Sequence, residues 1–228
     1  MSDTFSTNFK AEIGKTLLSD SGQQIRLIKR ISSGGEGEIF QTSSGFAAKI
    51  YHPENLRHTT VSKLRLMISR KISIPGVCWP CGLLKDGKQQ IVGYLMPMAS
   101  GKTLQHSIFS KPLLLKNFPG WKRQDLVKLA LSCLKRIKKL HDCGILLGDI
   151  NPLNFLVEDP ESVWLVDTDS YQIENYCCPV GTVNFTPPEL QGRDFNTFLR
   201  TPVHEHFAVA TLLFMILLPG KPPYAHCG

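Results

Sequence analysis

The strongest constraint on this chain is the order of polar residues around two short aliphatic runs in its second half. Residues 147–154 read Leu-Gly-Asp-Ile-Asn-Pro-Leu-Asn, and Val163-Trp164-Leu165-Val166 later runs into Asp167. Short apolar runs bounded by turn-forming residues predict strands over 155–157 and 163–166. An Asp, an Asn five positions on, and a second Asp closing a hydrophobic strand suit phosphoryl transfer. In that chemistry one carboxylate, Asp149, orients the accepting hydroxyl, while Asn154 and Asp167 hold Mg²⁺ against the phosphates. Each piece alone is a weak signal; their order and spacing carry the reading.

The chain has 228 residues, enough for one large domain or two small lobes. Its 42% hydrophobic and 20% charged residues fit a folded protein and exclude a disordered one. No apolar run approaches the ~20 residues that span a bilayer, and the longest, 207–218, reads as a buried helix. The N-terminus lacks the basic-then-apolar pattern of a signal peptide, so the expected compartment is the cytoplasm. Seven cysteines, at irregular spacing, argue against a disulfide framework. Cys78-Trp79-Pro80-Cys81 is a CxxC, but zinc needs two further ligands, and Cys177-Cys178 are adjacent. A redox CxxC should precede a helix, whereas Gly82-Leu83-Leu84 followed by Asp86-Gly87 reads as a strand entering a turn. Structural thiols are therefore expected. Much of the net charge of +7 sits in 135–139 and 55–85. No aromatics interleave with the lysines, so this reads as a solvated helix face and not as a nucleic-acid surface.

Along the chain, residues 1–14 read as a flexible N-terminus. A hairpin is expected over 17–31, a glycine-rich turn over 32–37, strands over 39–42 and 46–51, a helix over 61–72, and strands over 82–84 and 91–96. This half reads as a five-stranded sheet with one helix. The second half is helical. Residues 121–143 carry apolar positions at 126, 129, 130, 133, 137 and 140, with Gly144 as the C-cap. Residues 205–218 are apolar nearly all round, the pattern of a helix buried in a domain centre. A composition shift at Ala99-Ser100-Gly101 separates 15–98 from 99–228.

Several segments carry a family resemblance: Ser32-Ser33-Gly34-Gly35-Glu36-Gly37-Glu38-Ile39, Ala47-Ala48-Lys49-Ile50, the strand Tyr94–Ala99, the loop 147–154, Asp167-Thr168-Asp169-Ser170 and Gly181–Glu189. In this order they resemble the protein-kinase fold over 15–228. The resemblance is to divergent bacterial eukaryotic-like (Hanks-type) Ser/Thr protein kinases with Gly-Asp-x-Asn-x-x-Asn and Asp-Thr-Asp-Ser motifs. It implies an α+β, two-lobed fold: a five-stranded N-lobe with one helix, and a mainly helical C-lobe that is incomplete after the central helix. It implies ATP binding through Ser32, Gly34, Gly35, Gly37 and Ile39 of the phosphate-covering loop, with Glu36 pointing outward. Ala47 and Lys49 belong to the same site, with Lys49 on the α- and β-phosphates. Met96 is then the gatekeeper, and the Pro97 carbonyl and Ala99 N–H meet adenine. Asp149 is the catalytic base and works with Lys49, and Asn154 and Asp167 hold Mg²⁺ or Mn²⁺. Asp169 either adds a metal contact or caps the following turn. Thr182 and Glu189 belong to the substrate-docking loop, and Glu205 binds the catalytic-loop backbone.

Three departures stand out. No Asp or Glu occurs from Asn55 to Lys85, so the helix glutamate that ordinarily holds the lysine is missing. A lysine in an apolar strand needs a partner; the expected answers are Asp167 or Glu54 as a substitute, or a Lys49 ordered only by nucleotide. Gly148 replaces an Arg that reads a phosphate on the activation segment, so such a phosphate is not the expected switch. Asn151 replaces a Lys and removes one cation from the γ-phosphate, which should slow transfer. Ser170, Tyr171, Thr182 and Thr186 are candidate autophosphorylation sites. The implied activity is that of an ATP- and Mg²⁺-dependent Ser/Thr protein kinase. The alternatives are a nucleotide-binding pseudokinase that acts as scaffold or sensor, and a small-molecule kinase, whose loop shares Gly-Asp-x-x-x-x-Asn but which lacks the docking loop. The implied partners are a protein substrate and a PP2C-type phosphatase or von Willebrand A-type protein, with neither nucleic acid nor membrane.

Overall fold

The computed structural model describes residues 9–224. Cys227 and the first eight residues of the expected flexible tail lie outside the described residues. The fold is α+β, and the chain divides into two compact units. One comprises the residues up to Ser73 together with Cys78–Met98, and the other comprises Ile74–Val77 with the residues from Ala99 on. The tetrapeptide 74–77 joins the second unit through the Leu165 amide, which donates to the Gly76 carbonyl at 2.8 Å.

The first unit is built from period-2 alternation. In β2 (Gln24–Ser33), Ile25 and Leu27 are buried while Gln24 and Arg26 are exposed, the pattern of a strand with one core face. It joins β1 (Thr16–Ser19), β3 (Gly37–Thr42) and β4 (Ala47–Tyr51), then, after the helix α1 (His58–Ser69), β5 (Gly82–Lys85) and β6 (Ile91–Met96). The strands close into a barrel in the order β1-β2-β3-β4-β6-β5. Leu17, Ile25, Leu27, Phe40, Ala48, Ile50, Leu84, Val92 and Leu95 form its core. Each large aliphatic or aromatic side chain among them contributes about 2 kcal/mol by leaving water. The expected count of five strands is thus six, since the hairpin over 17–31 supplies both β1 and β2. β1 pairs with β2 as a local hairpin and also with β5, where Ser19 lies opposite Leu84. That pairing joins residues far apart in sequence, and no local pattern announces it. Phe9 and Ala11, ahead of residue 15, pack, partly buried, against this core.

The α1 helix turns Val61, Leu64 and Met67 inward, the i, i+3, i+6 spacing read from the sequence. It ends before the expected Ile72, and Lys71 takes a left-handed φ of 48°. The Trp79 indole N–H donates to the Met67 carbonyl at 2.8 Å and ties the segment after α1 back to the helix.

The second unit opens with β7 (Lys102–Thr103), α2 (Leu104–Ser107) and α3 (Lys111–Asn117), then α4 (Arg123–Asp142). Thr103 and Ser110 cap the two short helices by accepting the amides of His106 and Leu113; neither helix is long enough to show a period. The α4 helix buries Leu126, Leu129, Ala130, Cys133, Ile137 and Leu140, all six expected positions, and Gly144 follows it at φ +74°. Next come β8 (Ile145–Leu146), β9 (Phe155–Val157), β10 (Val163–Leu165) and β11 (Gln172–Ile173). They form a three-stranded sheet β10-β9-β7 and a β11-β8 pair. The last helix, α5 (Pro202–Leu217), buries Glu205, Ala208, Val209, Thr211, Leu212 and Ile216. The expectation of a helix covered all round is corrected here: Phe214 and Leu217 remain 39% exposed, because neighbouring elements cover one face alone. Among the described residues no helix is long and apolar enough to cross a membrane.

Candidate functional site

In the first unit, Ile39 lies opposite Lys49, Ser32 opposite Ile39 and Ala47 opposite Met96. Directly paired residues share a sheet face, as do positions i and i+2. Ser32, Ile39, Ala47, Lys49 and Met96 therefore stand together on the face opposite to the barrel core. The β2–β3 turn holding Gly34 and Gly35, with Gly37 opening β3, is fastened to the end of β4. The His52 Nε2 pairs with the Gly34 carbonyl at 3.0 Å, the Asn55 amide donates to the Gly35 carbonyl at 2.7 Å, and the His52 N–H donates to the Glu36 carbonyl at 2.9 Å. Gly37 is required by close approach: a β-carbon there would lie 2.2 Å from the Ile50 carbonyl oxygen. Pro97 and Ala99 follow β6, outside any strand or helix.

Lys49 is 5% exposed, and its Nζ donates to Glu36 Oε2 at 2.9 Å. One expectation is corrected by this contact: Glu36 turns in toward the lysine and does not point outward, and it pairs with Lys49. The cause is the fastened loop, which sets residue 36 just beyond the Gly37–Tyr51 pair and within a side chain's reach of Lys49. Lys49 Nζ also lies 5.3 Å from the centroid of the Tyr51 ring. Sequence reasoning missed His52 and Asn55. Their signal was two polar residues just after a buried strand, which nothing tied to the glycines.

In the second unit the loop after β8 carries Asp149. The Thr182 hydroxyl donates to Asp149 Oδ1 at 2.8 Å, and the Asn151 amide donates to Thr182 Oγ1 at 3.1 Å. Asn151 also caps its own turn by accepting the Leu153 amide at 2.9 Å. The loop hangs from α5: Glu205, 2% exposed, accepts the Leu147 amide at 3.0 Å and the Gly148 amide at 2.8 Å, with His141 Nε2 at 2.6 Å. A buried carboxylate is stable only when so bonded.

The β9–β10 hairpin sets the next pair. Leu165 faces Phe155, and one step outward the Val166 amide donates to the Asn154 carbonyl at 3.0 Å. Asn154 thus lies beside the residue that precedes Asp167. Asp159 holds the hairpin turn by accepting the Glu161 and Ser162 amides at 2.7 and 2.8 Å. Its carboxyl is held below the usual carboxylate range by the Ser162 side chain first and the Glu161 amide next. Asp167 adopts a left-handed φ of 58°, an uncommon state for a non-glycine residue, and starts a 3-10 turn. Its carbonyl accepts from the Ser170 amide and hydroxyl at 3.3 and 2.8 Å. The carboxylates of Asp167 and Asp169 bring oxygens within 4.8 Å of one another. An amide oxygen and carboxylate oxygens are the hard donors Mg²⁺ takes, so Asn154 and Asp167, with Asp169 beside them, fit that ion.

Other expected positions fare differently. Glu189 is exposed in a short 3-10 turn. Of the candidate modification sites, Ser170, Tyr171 and Thr186 are 8%, 1% and 7% exposed, and Thr182 is committed to Asp149. The CxxC precedes β5, with Cys78 buried and Cys81 exposed, and neither is in a disulfide among the described residues. Burial pushes the Cys78 thiol up to about 12, which fits an unreactive structural residue.

An α+β chain carrying these two groups is compatible with a kinase-like fold. Comparison with known sequences points the same way. The chain is 31% identical over 220 residues to a protein of Escherichia coli O157:H7 named Protein kinase YegI, covering 92% of this chain and 34% of the relative. It is likewise 31% identical over 219 residues to the protein of that name from Escherichia coli strain K12, with the same coverage. The chain spans about a third of the length of these curated relatives. No protein-family model matches it.

Proposed function

We propose that the chain is an ATP- and Mg²⁺-dependent protein kinase that transfers the γ-phosphate to a serine or threonine hydroxyl. The observation that carries this reading is the Thr182 hydroxyl donating to Asp149 at 2.8 Å, inside the 2.6–3.2 Å range that a general base requires. A carboxylate that already holds an aliphatic hydroxyl in a peptide segment suits an incoming serine or threonine. Lys49 neutralises phosphate charge from one strand face. Asn154 and Asp167 would hold Mg²⁺, and the bound ion supplies charge neutralisation across the phosphates. Asp149 orients the accepting hydroxyl and takes its proton, and Glu205 fixes the loop in which Asp149 sits. Catalysis then rests on positioning and electrostatics, with no covalent intermediate.

The test is transfer from labelled ATP with Mg²⁺ or Mn²⁺ to the protein itself and to a generic protein acceptor. Asp149→Ala and Asp167→Ala are each expected to lower transfer by at least about 100-fold. Transfer that survives either change defeats the assignment. One observation favours a second reading, a nucleotide-binding scaffold: Asn151 brings an uncharged amide next to Asp149 where a cation would assist the γ-phosphate. Thermal stabilisation by nucleotide with no detectable transfer would select it.

A further inference from the structure

Arg200 lies just ahead of α5 and is 7% exposed. Its backbone is clamped by Gln172: the Arg200 amide donates to Gln172 Oε1 at 2.7 Å, and the Gln172 amide donates to the Arg200 carbonyl at 2.8 Å. The guanidinium stacks on the Phe195 ring at 4.2 Å, and Nη2 donates to the Val180 carbonyl at 2.6 Å. It also presses on two glycines. A β-carbon at Gly181 would lie 2.8 Å from Nη2, and one at Gly148 would lie 2.5 Å from Nη1. Gly148 itself is at φ +74° and donates its amide to Glu205. Nη1 is buried with no hydrogen-bond partner among the described residues, an arrangement folded proteins seldom keep.

The guanidinium and the Cys178 side chain, whose Cβ would lie 2.3 Å from a β-carbon at position 148, together fill the volume a side chain there would need, and the guanidinium spans from the residue before Asp149 to the segment that delivers Thr182. We propose that Arg200 is a positioning residue for the phosphoryl transfer proposed above. It locks residues 178–182 against the catalytic loop through the Val180 carbonyl, so that Thr182 meets Asp149 without any phosphate on that segment. The role needs a planar, charged group that can stack on Phe195 and donate to the Val180 carbonyl at once. Lysine can donate but offers no plane to stack. Arg200 touches neither substrate nor reacting atoms; it acts through Val180, Gly181 and Gly148. The inference rests on the kinase reading for its activity arm alone.

The experiment compares the full chain with Arg200→Ala and Arg200→Lys. Both variants are expected to lower kcat by about 100-fold, the effect of a small misplacement of a reacting group, with KM for ATP within about twofold because Lys49 and the glycine loop are untouched. Amide hydrogen exchange over 178–182 is expected to rise in both, while exchange in α4 stays unchanged. Low concentrations of guanidinium chloride are expected to restore kcat and segment protection in Arg200→Ala and leave the unmodified chain unaffected. Unchanged exchange over 178–182, or wild-type kcat in either variant, overturns the proposal. So does a loss confined to KM. If the unmodified chain transfers no phosphate to any acceptor, the kinase reading fails by itself, and the exchange and guanidinium arms still decide the role of Arg200. Should Arg200→Ala unfold, Arg200→Lys, which retains the stem and the charge, supplies the same readouts.

Discussion

At the scale of single residues, one departure from a kinase pattern is answered by a neighbour in space. Lys49 lacks an acidic partner anywhere in 55–85, yet Glu36 meets it at 2.9 Å. The Glu36 side chain is 52% exposed, so solvent screens the pair and it is worth about 1 kcal/mol at most. Glu36→Ala is therefore expected to lower kcat/KM for ATP about fivefold, and Lys49→Met by at least about 100-fold, read from labelled-ATP kinetics. A gain in ATP affinity on removing Glu36 would show that the carboxylate competes with phosphate. Thr182→Val removes the hydroxyl shared by Asp149 and Asn151. The expected result is about a tenfold loss of kcat with unchanged ATP affinity, measured by steady-state transfer and by nucleotide titration.

At the scale of elements, α5 and the β9–β10 hairpin do the positioning. Glu205→Ala would strand the Leu147 and Gly148 amides in a buried site, at about 1–3 kcal/mol each. The expected fall in melting temperature is roughly 5–15 °C, with loss of transfer even below the transition, checked by calorimetry and assay. The hairpin has its own acid limit. The Asp159 carboxyl is held low by Ser162 and the Glu161 amide, so its folded pKa lies below its unfolded value of about 3.9. Its stabilisation is complete above that unfolded value and is lost as pH falls through the folded one. Amide protection over 155–165, relative to the intrinsic exchange rate at each pH, is expected to fall below about pH 4 and to lose this pH dependence in Asp159→Asn. The two halves of the hairpin are plain in the sequence as aliphatic runs. The extension of the ladder to Asn154 and Val166 depends on register, which the runs alone leave open.

At the scale of the whole molecule, each unit buries a thiol that reports on its integrity. Burial pushes Cys78 in the first unit and Cys133 in the second up to about 12. At pH 8 each is a neutral thiol, and the thiolate is the nucleophile. Iodoacetamide is expected to spare both in the native protein and to label each as its own unit unfolds in urea, followed by mass spectrometry. Rapid labelling of either in the native chain would contradict the packing. The same mapping applied after incubation with ATP is expected to find no phosphate on Ser170, Tyr171 or Thr186, all buried.

Much of this molecule is written locally. The period of 126–140 specifies α4 and the alternation in β2 specifies a one-sided strand, because these signals depend on residues within a turn or two of one another. Only the tertiary structure decided the rest. Barrel closure through Ser19 and Leu84, the Glu36–Lys49 pair, the hold of Glu205 on residues 147 and 148, and the guanidinium of Arg200 over Gly148 all join positions separated by loops. Such contacts form because chain closure sets them side by side and burial then penalises any polar group left alone, a constraint that acts on space and not on sequence distance.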